Sequence, residues 1–234
     1  MKVAIMQPYF MPYLGYFQLV NAVDTFLFFD QVHFIKKGWI NRNRILVQQQ
    51  DFLFTIPLVN VSQNKLIKDT FIDENAYPQW KTKFLKTIIQ AYKNAPYLDT
   101  IFSLLETILN NKTERISELA MYSVQQTFEL LSIKKEFKTA STIVSTLPSG
   151  KVEKILYLCK QLNAFEYINP IKGQTLYQKE KFLEAQINLQ FLKSKPIQYP
   201  QFNHEFISDL SMIDVLMFNT QETITEYLKA YELV

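Results

Sequence analysis

Two short apolar segments most constrain how this chain can fold. They are Lys2–Met6 (KVAIM) and Thr25–Phe29 (TFLFF). Neither alternates polar with apolar residues, as a strand with one wet face would. Continuous apolar runs of this length fit strands buried on both faces. Between them, Tyr13–Ala22 has helical spacing, with Leu14, Phe17 and Val20 on one side. Strand, helix and strand in this order make a βαβ unit, and that unit implies a parallel sheet.

The rest of the chain extends the pattern. Ile45–Val47 and Phe52–Leu58 are predicted as a hairpin across the QQQD turn, and Leu66–Ile72 as a further strand. Trp80, Phe84, Leu85, Ile88, Ile89 and Tyr92 then recur at helix spacing. Two more helices follow, Tyr97–Leu109 and Glu114–Leu131. Strand-like Glu136–Thr142, a helix over Val152–Leu162, and strands Phe165–Asn169 and Ile187–Leu192 restore the α/β alternation. Helices are predicted near Ser211–Phe218 and Glu222–Leu233. The fold class expected is α/β with a mostly parallel sheet and an additional helical layer or subdomain. The whole of 1–234 reads as a single domain. Its α/β core comes from about 1–60 and 133–200, its helical insertion from about 76–131, and its C-terminal helices from about 207–233.

Composition removes several function classes. The chain has 234 residues but four glycines, where average usage predicts roughly 16. Gly15, Gly38, Gly150 and Gly173 are too far apart for a G-x-G-x-x-G or P-loop phosphate cradle. A net charge of +3 is too small to argue for nucleic acid. Cys159 is the single cysteine, so no intrachain disulfide forms; it falls on the apolar face of its helix and reads as core. With two histidines, His33 and His204, and one cysteine, no metal site is expected. The N-terminus lacks the basic flank and long apolar region of a signal peptide. No apolar run reaches the length of a membrane span. The expected location is cytoplasmic. Nothing in the sequence sets the oligomeric state.

Three places concentrate groups able to bind a ligand. The first is the turn after the opening strand, QPYFMPYLGY, with Gln7, Tyr9, Tyr13, Gly15 and Tyr16. In open parallel sheets ligands gather at strand carboxyl ends, where helix amides favour anions. The second is DQVHFIKKGWINRNR. Asp30 and His33 are its candidate proton acceptors. Lys36, Lys37, Arg42 and Arg44 surround Trp39, Asn41 and Asn43, a mixture suited to a phosphorylated ligand with a ring. In an extended segment Asn41 and Asn43 face one side and Arg42 and Arg44 the other. The third is the C-terminal half: Ser141, Thr142 and Ser145 after a strand, Gly173 and Tyr177 in a loop, and Asp214 in an apolar helix. Asp214 is either a buried structural acceptor or a site residue. His204 reads as a polar loop residue.

These residues carry a family likeness. The stretch VAIMQPYFMPYLGYFQLVNAVDTFLFFDQVHFIKKGWINRNRI resembles the N-terminal signature of the WbqC-like protein family. So do the break at Tyr92–Tyr97, Cys159–Leu162 leading to Tyr167 and Ile168, Gly173–Tyr177, and Leu210–Asp214 with Phe218 and Asn219. The resemblance implies a role in bacterial O-antigen or surface-polysaccharide assembly. The reaction it implies is transfer of a glycyl or other small acyl group to a nucleotide-linked amino-sugar. The chain departs from the family pattern at His33, often Gln, and after Asn219, where a Gly is frequent. Strand, Pro, aromatic, Pro, then Tyr13-Leu14-Gly15-Tyr16 is also similar to the start of HIGH-type nucleotidylyltransferases, with tyrosines in place of both histidines. That second likeness implies a Rossmann-like sheet. Its expected ligand is a nucleotide or nucleotide-sugar, held by Lys36, Lys37, Arg42 and Arg44. No motif specifies a cofactor. A non-catalytic nucleotide-sugar-binding protein is the competing reading.

Overall fold

The computed structural model describes residues 1–202 and 205–234. His204 lies outside them. The chain runs β1 (Lys2–Met6), α1 (Leu14–Asn21), β2 (Thr25–Phe28), then a hairpin of β3 (Arg42–Val47) and β4 (Gln50–Thr55). Three long helices follow: α2 (Tyr77–Tyr92), α3 (Leu98–Leu109) and α4 (Ile116–Leu130). The α/β alternation resumes with β5 (Glu136–Thr139), α5 (Ala140–Ile143), α6 (Lys151–Gln161), β6 (Glu166–Pro170), α7 (Lys179–Glu184) and β7 (Asn188–Ser194). It closes with α8 (Met212–Phe218), α9 (Gln221–Tyr227) and β8 (Tyr231–Leu233).

Six strands form one sheet in the order β5-β2-β1-β6-β7-β8, and the hairpin forms a separate two-stranded sheet. Every pairing from β5 to β7 is parallel; β8 alone is antiparallel. This is a Rossmann-like α/β fold. Right-handed crossovers explain its two faces. Steps from β1 to β2 to β5 move one way along the sheet and place α1 and the helical layer on one face. Steps from β5 to β6 to β7 move the other way and place α6 and α7 on the opposite face. Side chains divide with period two. Ala4, Phe26, Phe28 and Ile168 join the core under α1 and the helical layer. Val3, Ile5, Leu27 and Tyr167 join the core under α6 and α7. Burial on both faces is why these strands carry no polar alternation.

The hairpin turns at Gln48 and Gln49, whose φ values of 49° and 66° match a two-residue primed turn. Leu66–Ile72 is not a strand: Ile67–Asp69 is a 3₁₀ turn. There the Ile67 and Lys68 amides donate to the Val32 and Asp30 carbonyls, so no continuous ladder forms. The strand expected to reach Thr142 stops at Thr139, because the Asp30 carboxylate accepts from the Ser141 amide and starts α5. The last predicted helix ends at Tyr227. Beyond it the chain pairs as β8 with the outer edge of β7, satisfying backbone groups a helix would leave bare.

Candidate functional site

At the middle of the sheet the connections reverse direction, and this is where open α/β folds hold ligands. Here β1 and β2 pair at four positions, Val3 to Met6. By contrast β1 and β6 pair only at Lys2 and Val3. The carboxyl halves of β1 and β6 thus have no ladder between them, and a crevice of about 590 Å³ opens beside their ends. Its polar lining includes Gln7, Gln31, His33, Lys151, Lys154 and Lys172. The exposed side chains of Ile35 and Leu176 give it an apolar rim.

Each wall has a local cause. The α6 wall starts at Gly150, whose φ of 95° belongs to glycine. No side chain caps the helix in the described residues. Its first turn presents Lys151 and Lys154 to the crevice, and the helix dipole adds positive potential. Glu153 folds back toward the Gly150 Cα and moderates it. The β6 wall includes Asn169, which accepts from the Tyr167 hydroxyl at 3.0 Å and donates to the Pro170 carbonyl at 3.2 Å. Gly173 lies so close to the Asn169 amide that a Cβ there would collide with it. Tyr177 packs edge-on against Tyr167, and burial raises both phenols.

Asp30 and Gln31 tie β2 to the segment that leads into α6. The Asp30 carboxylate is buried and takes both the amide and the hydroxyl of Ser141. Gln31 donates its amide hydrogens to the Val144 and Ser145 carbonyls, at 2.9 and 3.4 Å. Its Oε1 is buried and has no partner among the described residues. Asp30 therefore holds a loop, while Gln31 and the exposed His33 line the crevice.

The structure brings Gln7, His33, Gly173 and Tyr177 together here. It places the other sequence candidates elsewhere. Tyr13 and Gly15 line a second cavity at the start of α1. Tyr16 is wholly buried and donates to the Gln7 carbonyl at 2.9 Å, leaving no group for a ligand. Tyr9 packs against it, and burial pushes its phenol up to about 12. Asn41 donates to the Ile56 carbonyl and buried Asn43 to the Met11 carbonyl. Arg42 bonds the Gly38 and Lys37 carbonyls, and Arg44 pairs with Asp51 at 3.0 Å. Both guanidinium groups lie over Trp39. The two faces of the segment do alternate, but their groups are engaged by partners within the protein. Lys36 and Lys37 are exposed in the preceding loop.

Asp214 is fully buried and joins a polar network. It accepts from Tyr92 at 2.8 Å and from Tyr199 and Gln201 at 2.7 Å each. The Tyr92 hydroxyl in turn accepts from the Leu46 amide at 2.9 Å. Burial raises the Asp214 carboxyl against the lowering effect of its donors.

Sequence reasoning missed Lys151, Lys154 and Lys172. Their signal was present: two lysines three apart, straight after a glycine that starts a helix, and a third beside Gly173. No group of three or more acidic, histidine or cysteine side chains able to hold a metal occurs among the described residues. None of their helices is long and apolar enough to cross a membrane.

Fold and crevice together define a doubly wound α/β protein with a lysine-lined crevice at its switch point. The chain belongs to the WbqC-like protein family, whose profile matches residues 7–226. An uncharacterized protein of Mycobacterium tuberculosis is 28% identical over 231 residues, covering 97% of each chain. No solved structure matches the chain.

Proposed function

We propose that the switch-point crevice binds a nucleotide-linked amino-sugar and that the protein transfers a small acyl or aminoacyl group to its amine, in assembly of a surface polysaccharide. The convergence of Lys151, Lys154 and Lys172 on one cleft at strand carboxyl ends carries this reading. Three ammonium groups and a helix start suit a diphosphate. The apolar rim of Ile35 and Leu176 suits the flat face of a base. In the transfer, the amine nitrogen bonds the acyl carbon and loses a proton, and the donor's leaving group departs. In this reading His33, which lines the crevice, takes that proton. The family resemblance is what supports both the pathway and the acyl chemistry; the site supports a phosphorylated ligand. A nucleotidyl-transfer reading gains less support, because Tyr16, at the second histidine position, is sealed in the core.

Calorimetry with a panel of nucleotide-sugars tests the binding. Lys151→Ala with Lys154→Ala should weaken affinity about tenfold or more, two charge-assisted contacts being lost, without lowering the melting temperature. Unchanged affinity would sink the reading. Mass shifts of the sugar on incubation with acyl donors test the transfer itself.

A further inference from the structure

The hairpin of β3 and β4 leaves one sheet edge open, since β4 pairs only with β3. The Gln48–Gln49 turn makes Val47 and Gln50 the first hydrogen-bonded pair. Such pairs recur at every second residue. Gln50, Phe52 and Phe54 therefore turn their N–H and C=O groups inward to β3, and Asp51, Leu53 and Thr55 turn theirs outward. Bonds around β3 fix the same phase. The Leu46 amide donates to the Tyr92 hydroxyl, and the Arg44 carbonyl accepts from the Ser211 amide, both away from β4. The Ile56 amide donates to the Asn41 carbonyl across the hairpin. No backbone group of Asp51, Leu53 or Thr55 has a partner among the described residues.

Proteins ordinarily blunt such edges with charge, shortness or a covering element. The main sheet does so. β5 carries the Glu136–Lys138 ion pair, and β8 is three residues long with Glu232 paired to Lys193. β4 has six residues, no lysine, no proline and no bulge. Phe52 and Leu53 are 44% and 46% exposed, on its opposite faces. Past the strand the edge closes, because the Pro57 carbonyl accepts from the Asp73 amide. The open stretch is Asp51–Thr55, centred on Leu53.

The strand that fits this edge is β4 itself. Two copies set antiparallel about a two-fold axis at Leu53 place Leu53 opposite Leu53, and Asp51 opposite Thr55 at both ends. All of these are hydrogen-bonded pairs, so about six backbone bonds form and every outward group is used. A typical whole interface carries roughly ten. Asp51, the one charged residue of β4, meets a hydroxyl donor in Thr55. Beyond that threonine stands its hairpin neighbour Arg42, of opposite charge. The two Asp51 residues stay about 14 Å apart along the ladder. Phe52 comes opposite Phe54 of the other copy, an aromatic cross-strand pair. Each copy has one such edge, so the assembly closes at two.

We infer that β4 is a dimerisation edge, at which a second copy of this chain adds antiparallel to build a four-stranded intermolecular sheet. None of the crevice residues named above lies on β4, so this inference is independent of the nucleotide-sugar reading.

Sedimentation of the full chain from about 1 to 500 µM, the range of a modest interface, should show a monomer–dimer equilibrium with no larger species. Leu53→Lys sets two ammonium groups at the axis and removes two apolar contacts. It should weaken the dimer about tenfold or more. Leu53 is exposed, so the melting temperature of the dilute monomer should not change. Leu53→Cys supplies a second readout. Opposed Cα atoms of a hydrogen-bonded pair lie about 5.5 Å apart, within disulfide reach. Mild oxidation should therefore link two copies through position 53, while buried Cys159 stays unreacted. A chain that is monomeric throughout, which would leave the edge to a strand of another protein, overturns the inference. So does a dimer that Leu53→Lys leaves intact, or one that forms no link at position 53.

Discussion

Replacing Asp214 tests whether its carboxylate is structural. In Asp214→Ala the Tyr92 and Tyr199 hydroxyl protons lose their acceptor. Gln201 loses one of its contacts but keeps the Ile207 carbonyl at 3.1 Å. Two buried hydroxyls left unpaired, at about 1–3 kcal/mol each, put the cost near 2–6 kcal/mol. Relief from burying a carboxyl group offsets part of it, so about 3 kcal/mol is expected. Asp214→Asn keeps the shape and the oxygen facing Tyr199 and Gln201 but turns an amide toward Tyr92. Its cost should be about 1–2 kcal/mol. Urea unfolding with a shared slope measures both. The pH dependence adds a second check. Because burial raises the Asp214 carboxyl in the fold, the folded chain holds that proton more tightly than the unfolded one. Its contribution is complete below the unfolded value, about 3.9, and is lost as pH rises through the higher folded value. Asp214→Asn should flatten that part of the stability profile. A loss below about 0.5 kcal/mol in Asp214→Ala, the range of ordinary surface changes, would refute the network's structural role. Weakened nucleotide-sugar binding with full stability would instead make Asp214 a site residue.

Other substitutions probe the walls of the crevice. Gly173→Ala should cost about 1–3 kcal/mol by overpacking against Asn169, and calorimetry should show weaker nucleotide-sugar binding as that wall shifts. Asp30→Ala should lower stability by about 1–3 kcal/mol, since the Ser141 amide and hydroxyl lose their acceptor; a lost reaction at an unchanged melting temperature would mark it as the base instead. The phenols of buried Tyr16, Tyr92 and Tyr167 and of half-buried Tyr9 are all raised by burial. Their stabilisation is whole below the unfolded phenol value near 10 and is lost as pH rises toward their folded values. Tyrosinate absorbance should therefore appear largely together with the loss of far-ultraviolet dichroism above about pH 10. Cys159 is buried and its thiol is pushed up to about 12, so thiol reagents should label it only at the rate of unfolding.

The sequence alone determined the local architecture. Unbroken apolar strands at Lys2–Met6 and Thr25–Phe28 read as two-sided burial, because no polar residue interrupts either face. The spacing of Phe84, Ile88 and Tyr92 marked a helix side that the structure buries. Local pattern failed where distant backbone set the outcome. The Glu222–Leu233 periodicity gave way at β8, because the edge of β7 required a partner. Ile67–Asp69 curled because its amides met the Val32 and Asp30 carbonyls.

Only the tertiary structure decided which polar groups stay available. Asn43, Arg42, Arg44 and Asp214 look in sequence like a ligand's contacts, yet each finds a partner within the protein. A side chain's hydrogen-bonding capacity is written in its type, but whether that capacity is spent depends on residues far along the chain. Lys151, Lys154 and Lys172 converge with Gln7 and His33 because the crossovers reverse between β1 and β6 and leave their carboxyl halves unpaired. Strand order is set by how the apolar faces pack together. No local stretch of the sequence carries it.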